Sequence, residues 1–123
     1  GILNWKQKVN SNLRPTLIDD YIFTVSLEGY LTIINKNDGK VVRVTDVFKN
    51  IKIKKRKKIK PTGFIVGRNN IYLSTDHGRL LIINVNNGST ISMIKIVNKK
   101  ISRPSVLNQN LFIVSDNSII KLN

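Results

Sequence analysis

Eleven residues, Gly29 to Gly39 (Gly-Tyr-Leu-Thr-Ile-Ile-Asn-Lys-Asn-Asp-Gly), return almost unchanged as Gly78 to Gly88 (Gly-Arg-Leu-Leu-Ile-Ile-Asn-Val-Asn-Asn-Gly). Seven of the eleven positions are identical without a gap: Gly29/Gly78, Leu31/Leu80, Ile33/Ile82, Ile34/Ile83, Asn35/Asn84, Asn37/Asn86 and Gly39/Gly88. A repeat of this length is the signature of stacked supersecondary units rather than of a chain folded once.

The repeat extends to its surroundings. Pro15, Pro61 and Pro104 each follow a basic residue (Arg14, Lys60, Arg103) and precede a hydroxyl residue (Thr16, Thr62, Ser105), at spacings of 46 and 43 residues. Proline suits the first residue of a strand, where its missing N–H breaks no ladder. Behind each proline come a short apolar stretch, a polar turn and a strand rich in aromatic and β-branched residues: Tyr21 to Ser26, Ile71 to Thr75 and Leu111 to Ser115. A second turn leads into the repeated strand, Tyr30 to Asn35, Arg79 to Asn84 and Ile119 to Asn123. Its paired isoleucines break simple alternation and predict a strand covered on both faces. Asp38-Gly39 and Asn87-Gly88 are strong hairpin signals, and a fourth strand follows over Val41 to Phe48 and Thr90 to Val97.

Four short antiparallel strands joined by three tight turns make a β-propeller blade, and blades bury their apolar faces only by stacking. The expected fold is therefore all-β, with about three blades' worth of strands in one partial propeller. Residues 1–14 read as the last strand of a preceding blade, 15–60 as a blade, 61–103 as a second, and 104–123 as the first three strands of another. Propellers typically have four to eight blades. Two completions are open: further blades in a longer chain, or self-association of copies through exposed blade faces.

Composition narrows the function classes. Without cysteine there is no disulfide, thiol catalysis or thiolate metal site. No apolar run reaches the ~20 residues of a membrane-crossing helix, and the N-terminal residues lack a signal-peptide layout. The extreme quantity is charge: 21 Lys and Arg against 7 Asp and Glu, a net +14. Such a chain is drawn to phosphate on lipid or nucleic acid, although joint overuse of Lys, Asn and Ile is equally the imprint of an AT-rich coding sequence.

The pattern Gly-x-Leu-x-x-Ile-Asn-x-x-x-Gly, carried by Gly29, Leu31, Ile34, Asn35, Gly39 and again by Gly78, Leu80, Ile83, Asn84, Gly88, resembles the PQQ-like repeat, with Asn in place of that family's Asp. Trp5 stands where the family's docking tryptophan belongs; its equivalents are Arg43 and Ser92, neither aromatic. The resemblance implies a propeller and two functional branches. In quinone-dependent alcohol dehydrogenases it implies a calcium-bound quinone, a stacking tryptophan and a catalytic aspartate. In scaffolds of BamB type it implies protein partners in outer-membrane β-barrel assembly, on the periplasmic side of that membrane. A single Trp at a docking position and few carboxylates fit the second branch better. The expectation is a non-enzymatic scaffold, with no catalytic, cofactor-binding or metal-binding residue and no cofactor assigned.

The sharpest departure from the repeat is Lys52 to Lys60, where unit one carries six residues more than unit two between the repeated glycine and the next proline. Lys52, Lys54, Lys55, Arg56, Lys57, Lys58 and Lys60 are candidates for binding an anion, an anionic membrane surface or a protein partner. Like charges this dense predict an extended or mobile loop. The run has no aromatic residue on which bases could stack, which argues against nucleic acid. Asp76, His77 and Asp116 could suggest a metal or acid–base cluster, but each lies in a turn where Asp and Asn serve backbone geometry. Tyr21, Phe23, Tyr72 and Phe112, on equivalent second strands, are expected in the core between blades.

Overall fold

A computed structural model describes residues 3–122. Three antiparallel sheets follow one another along the chain. The first contains β1 (Thr16–Ile18), β2 (Tyr21–Val25), β3 (Tyr30–Asn35) and β4 (Val41–Asp46) in sequential order. A helical turn, α1 (Ile53–Arg56), lies in the connection to the second sheet, β5 (Pro61–Val66), β6 (Asn70–Thr75), β7 (Arg79–Asn84) and β8 (Thr90–Lys95). The third holds β9 (Ser105–Leu107), β10 (Asn110–Ser115) and β11 (Ser118–Leu122). These are the meandering sheets of a partial propeller.

The two repeats agree in register. Ile22 pairs with Ile34 as Ile71 pairs with Ile83, and both sheets carry a bulge beside the twin isoleucines. On β4 the extra residue is Val42 and on β8 it is Ile91, and both are exposed. The repeated asparagines hold the next turn: Asn35 Oδ1 accepts the Asn37 N–H at 2.9 Å, and Asn84 Oδ1 accepts the Asn86 N–H at 2.8 Å. This is the side-chain-to-backbone turn that Asn and Asp both make, so the substitution within the motif preserves the mechanism.

The main core lies between the first two sheets, where Phe23, Val25, Leu31 and Ile33 meet Ile71, Leu73, Leu81 and Ile83. A smaller core of Leu80, Ile101 and Ile113, flanked by Tyr72, joins the second sheet to the third. Both faces of the repeated strand are covered in the first two sheets, as Ile33, Ile34, Leu80 and Leu81 are all buried. In the third sheet Ile119 is 76% exposed, because among the described residues no sheet packs on that face. The aromatic residues also divide: Phe23 is core, Tyr72 and Phe112 are half-buried, and Tyr21 is exposed at the start of β2.

Two expectations require correction, and a third falls outside the described residues. The fourth strands end at Asp46 and Lys95, not at Phe48 and Val97, since the chain there turns inward and the Val47 and Ile96 N–H groups donate to the Gly29 and Gly78 carbonyls. Gly1 and Ile2, at the start of the expected leading strand, and Asn123, at the end of the last one, lie outside the described residues. Residues 3–15 form no strand. Among the described residues no strand pairs with this segment, which is held by isolated bonds: Trp5 Nε1 to the Lys36 carbonyl, Gln7 Nε2 to the Gly39 carbonyl, and the Leu27 N–H to the Asn10 carbonyl.

Candidate interaction surface

The basic run occupies the connection from β4 to β5, and it is neither extended nor loose. Phe48, fully buried, lies against Gly29, whose φ of +94° leaves no room or freedom for a side chain. Ile51 and Ile59 pack on the main core, and between them the chain makes the single turn α1. Lys60 is fastened by two bonds, its N–H to Asp76 Oδ1 and its carbonyl from the Asp76 N–H, each 2.9 Å. In place of an extended loop the run makes a turn, because Phe48, Ile51 and Ile59 anchor its two ends to the core.

Arg56 is the innermost charge of the run. Its guanidinium forks onto Asp46, with Nη1 donating to Oδ2 at 2.7 Å and Nη2 to Oδ1 at 2.6 Å, and it lies 5.5 Å from the centre of the Tyr30 ring. The bidentate geometry raises the Arg56 pKa above its ordinary value, chiefly through the hydrogen bonds to Asp46. Arg56 is therefore engaged within the protein. Lys52, Lys54, Lys55, Lys57, Lys58 and Lys60 are all exposed, and among the described residues none makes an ion pair. Ile53, in the same turn, is 73% exposed.

The three turn residues considered as a cluster do not assemble. Asp76 accepts the Lys60 N–H and contacts His77 Nδ1 at 2.7 Å, while Asp116 pairs with Lys99 at 2.7 Å. No group of three or more His, Asp or Glu suited to a metal occurs among the described residues. Asp116 raises the Lys99 pKa by accepting its hydrogen bond. Glu28, beside Lys60, has its pKa lowered, first by a backbone hydrogen bond and then by Asn10 and Ser26, with Lys60 adding a smaller electrostatic pull.

Sequence reasoning missed one docking contact. The Trp5 ring lies over Gly39 and its Nε1 donates to the Lys36 carbonyl at 2.7 Å. Arg43 sits at the equivalent position of the next unit, and its Nη2 donates to the Val85 carbonyl at 3.1 Å while Nη1 donates to the Asn86 carbonyl. Val85 is the repeat partner of Lys36, so a guanidinium makes the same connection to the following turn that the indole makes. The offset from Gly1 and Gly39 marks both positions, and what a residue-type match overlooks is that both side chains donate N–H.

The outer edges of the sheets form a second exposed surface. β4 and β8 each pair on one side only, and Val41, Val42, Val44, Ile91, Met93 and Ile94 are all more than two-fifths exposed. At the inner edges, β1 and β9 are three residues long and β5 opens with Pro61, features that blunt an edge against further pairing. β4 and β8 are six residues long and contain no proline, although each is interrupted by the bulge at Val42 or Ile91.

No established family profile matches the chain. In sequence it is 25% identical over 97 residues to the outer membrane protein assembly factor BamB of Escherichia coli, a match covering 78% of this chain and 25% of that protein. In structure it overlays BamB from Moraxella catarrhalis with a TM-score of 0.70 at 18% identity, over 93% of this chain and 32% of that one. The chain is a partial β-propeller, similar to BamB in sequence and in fold. It spans about a quarter of the length of the E. coli relative. The same propeller architecture appears in the quinohemoprotein alcohol dehydrogenase ADHIIG of Pseudomonas putida, with a TM-score of 0.64 at 17% identity over 89% of this chain and 17% of that one.

Proposed function

We propose that this chain is a segment of a non-enzymatic interaction scaffold of BamB type, holding protein partners in outer-membrane β-barrel assembly on the periplasmic side of that membrane. The observation that carries the reading is the outer edge of the sheets: long, proline-free strands β4 and β8 with unpaired backbone groups and exposed valine, isoleucine and methionine side chains. An edge of this kind takes an extended segment of another protein as an added strand, with backbone hydrogen bonds supplying affinity and side-chain pockets specificity. The sequence match to an outer membrane protein assembly factor supports partners of that class.

The test is titration of the full-length protein with purified periplasmic domains of the barrel-assembly machinery. Ile91→Lys and Met93→Lys place charge on the β8 edge and are expected to weaken binding about ten-fold or more, as charges on an edge oppose strand addition. Unchanged affinity in both variants removes the edge from the account. Reduction of a dye after addition of quinone and calcium would move the assignment to the dehydrogenase branch.

A further inference from the structure

We propose that the turn 52–60 docks on an anionic phospholipid bilayer, with Ile53 entering the interface and the surrounding lysines meeting headgroup phosphates. The inference is independent of the partner-binding edge. It starts from the distribution of charge. The connections between sheets, residues 47–60 and 96–104, hold eleven of the 21 Lys and Arg. They lie beside the turns that join second to third strands, as the bonds from Val47 to Gly29, Asp76 to Lys60 and Ile96 to Gly78 show. The carboxylates of that region are already engaged: Asp46 by Arg56, Asp116 by Lys99, Asp76 by the Lys60 backbone, and Glu28 by Asn10. At the opposite ends of the strands the turns are balanced, with Asp19, Asp20 and Asp38 against Lys36, Lys40 and Arg68. Even with Lys6 and Arg43 beside those turns, most of the surplus positive charge is on the side of the connections, and it is densest at the turn 52–60.

Three features favour a lipid surface over other polyanions. Ile53 is an apolar side chain held in solvent amid lysines, so a bilayer interface would remove it from water while the lysines meet headgroup phosphates. The turn is pinned beforehand by Arg56 on Asp46 and Tyr30 and by buried Ile59, so little ordering remains to oppose binding. The run offers no aromatic face to a nucleic-acid base.

Sedimentation of the full-length protein with phosphatidylcholine vesicles, and with an equimolar mixture of phosphatidylcholine and phosphatidylglycerol, tests the proposal at low and raised salt. Binding is expected only to the anionic vesicles and to weaken with salt. Replacing Lys54, Lys55, Lys57 and Lys58 together by Gln is expected to weaken it about 100-fold or more, each lysine near such a surface contributing about five-fold. Ile53→Ser is expected to lower vesicle binding about ten-fold while leaving affinity for duplex DNA unchanged, because only a bilayer rewards the apolar side chain. Lys36→Gln with Lys40→Gln, in a balanced turn, serves as the matched control and is expected to change nothing. Equal melting temperatures across these exposed substitutions confirm that folding is intact. The proposal fails if Ile53→Ser leaves vesicle binding unaltered, if the four-lysine variant binds as well as the parent, or if DNA is bound more tightly than anionic vesicles.

Discussion

The connections 47–60 and 96–104 do the same structural work with different amounts of chain. Each begins where a backbone N–H, from Val47 or Ile96, turns onto the carbonyl of a repeated glycine, and each delivers a buried isoleucine, Ile59 or Ile101, just ahead of the next proline. Each also uses one cation–carboxylate tie, Arg56 to Asp46 in the first and Lys99 to Asp116 in the second. Counted from the repeated glycine to the next proline, the first adds six residues without disturbing either anchor, and its lysines all face solvent. The fold requires the anchors; the interval between them is free to carry charge for another purpose.

The largest test of this comparison concerns the anchors. Phe48→Ala should cost about 3–5 kcal/mol and Ile101→Ala about 2–5 kcal/mol, read by denaturant unfolding, since each empties a fully buried site. Ile59→Ala should fall at the lower end of that range, as Ile59 sits closer to solvent at 8% exposure. If Ile59→Ala proved neutral, the first connection would be held by its charges instead.

The two glycines sharpen the contrast. Gly29→Ala and Gly78→Ala both carry the penalty of a left-handed backbone, about 1–2 kcal/mol. At Gly29 the new methyl meets only the buried Phe48 ring, a side chain; at Gly78 it meets the carbonyl oxygens of Val97 and Lys99, which are backbone. Gly78→Ala should therefore lower the melting temperature more than Gly29→Ala. The reverse order would mean that Phe48 is less yielding than a backbone carbonyl.

The ion-pair ties come next. Arg56→Gln should destabilise by about 1 kcal/mol, more than an exposed pair, because both partners are largely shielded and the geometry is bidentate. Lys99→Gln should be near neutral, with both partners exposed. The smallest effect is on pH dependence. The folded-state pKa of Lys99 is raised, so its contribution is fully present below the ordinary lysine value and is lost as pH rises through the raised one. Arg56 stays charged throughout that window, so strong alkali, above the ordinary lysine pKa, should loosen the second connection before the first, a difference that carbon-detected NMR of residues 96–104 and 47–60 would report.

Most of the fold was legible because turns and alternation are local. Gly39, Gly88, Asn35 and Asn84 announce their hairpins through their own backbone and side-chain chemistry, and the register of both repeats follows. The surface was legible only in part. Counting charges marked residues 52–60, but treated Arg56 as one of seven equivalents and missed the anchoring isoleucines. Matching residue types likewise passed over Arg43, which repeats the reach of Trp5 by a different chemistry.

The order of strands and turns was thus determined by the sequence alone, since each hairpin closes within a few residues. Which faces are covered and which charges are engaged was decided by the tertiary structure. Burial of Ile34 but not Ile119, and pairing of Arg56 but not Lys57, depend on groups brought close by neighbouring turns and sheets. Desolvation and Coulomb attraction act over a few ångströms of space, whatever the separation along the chain.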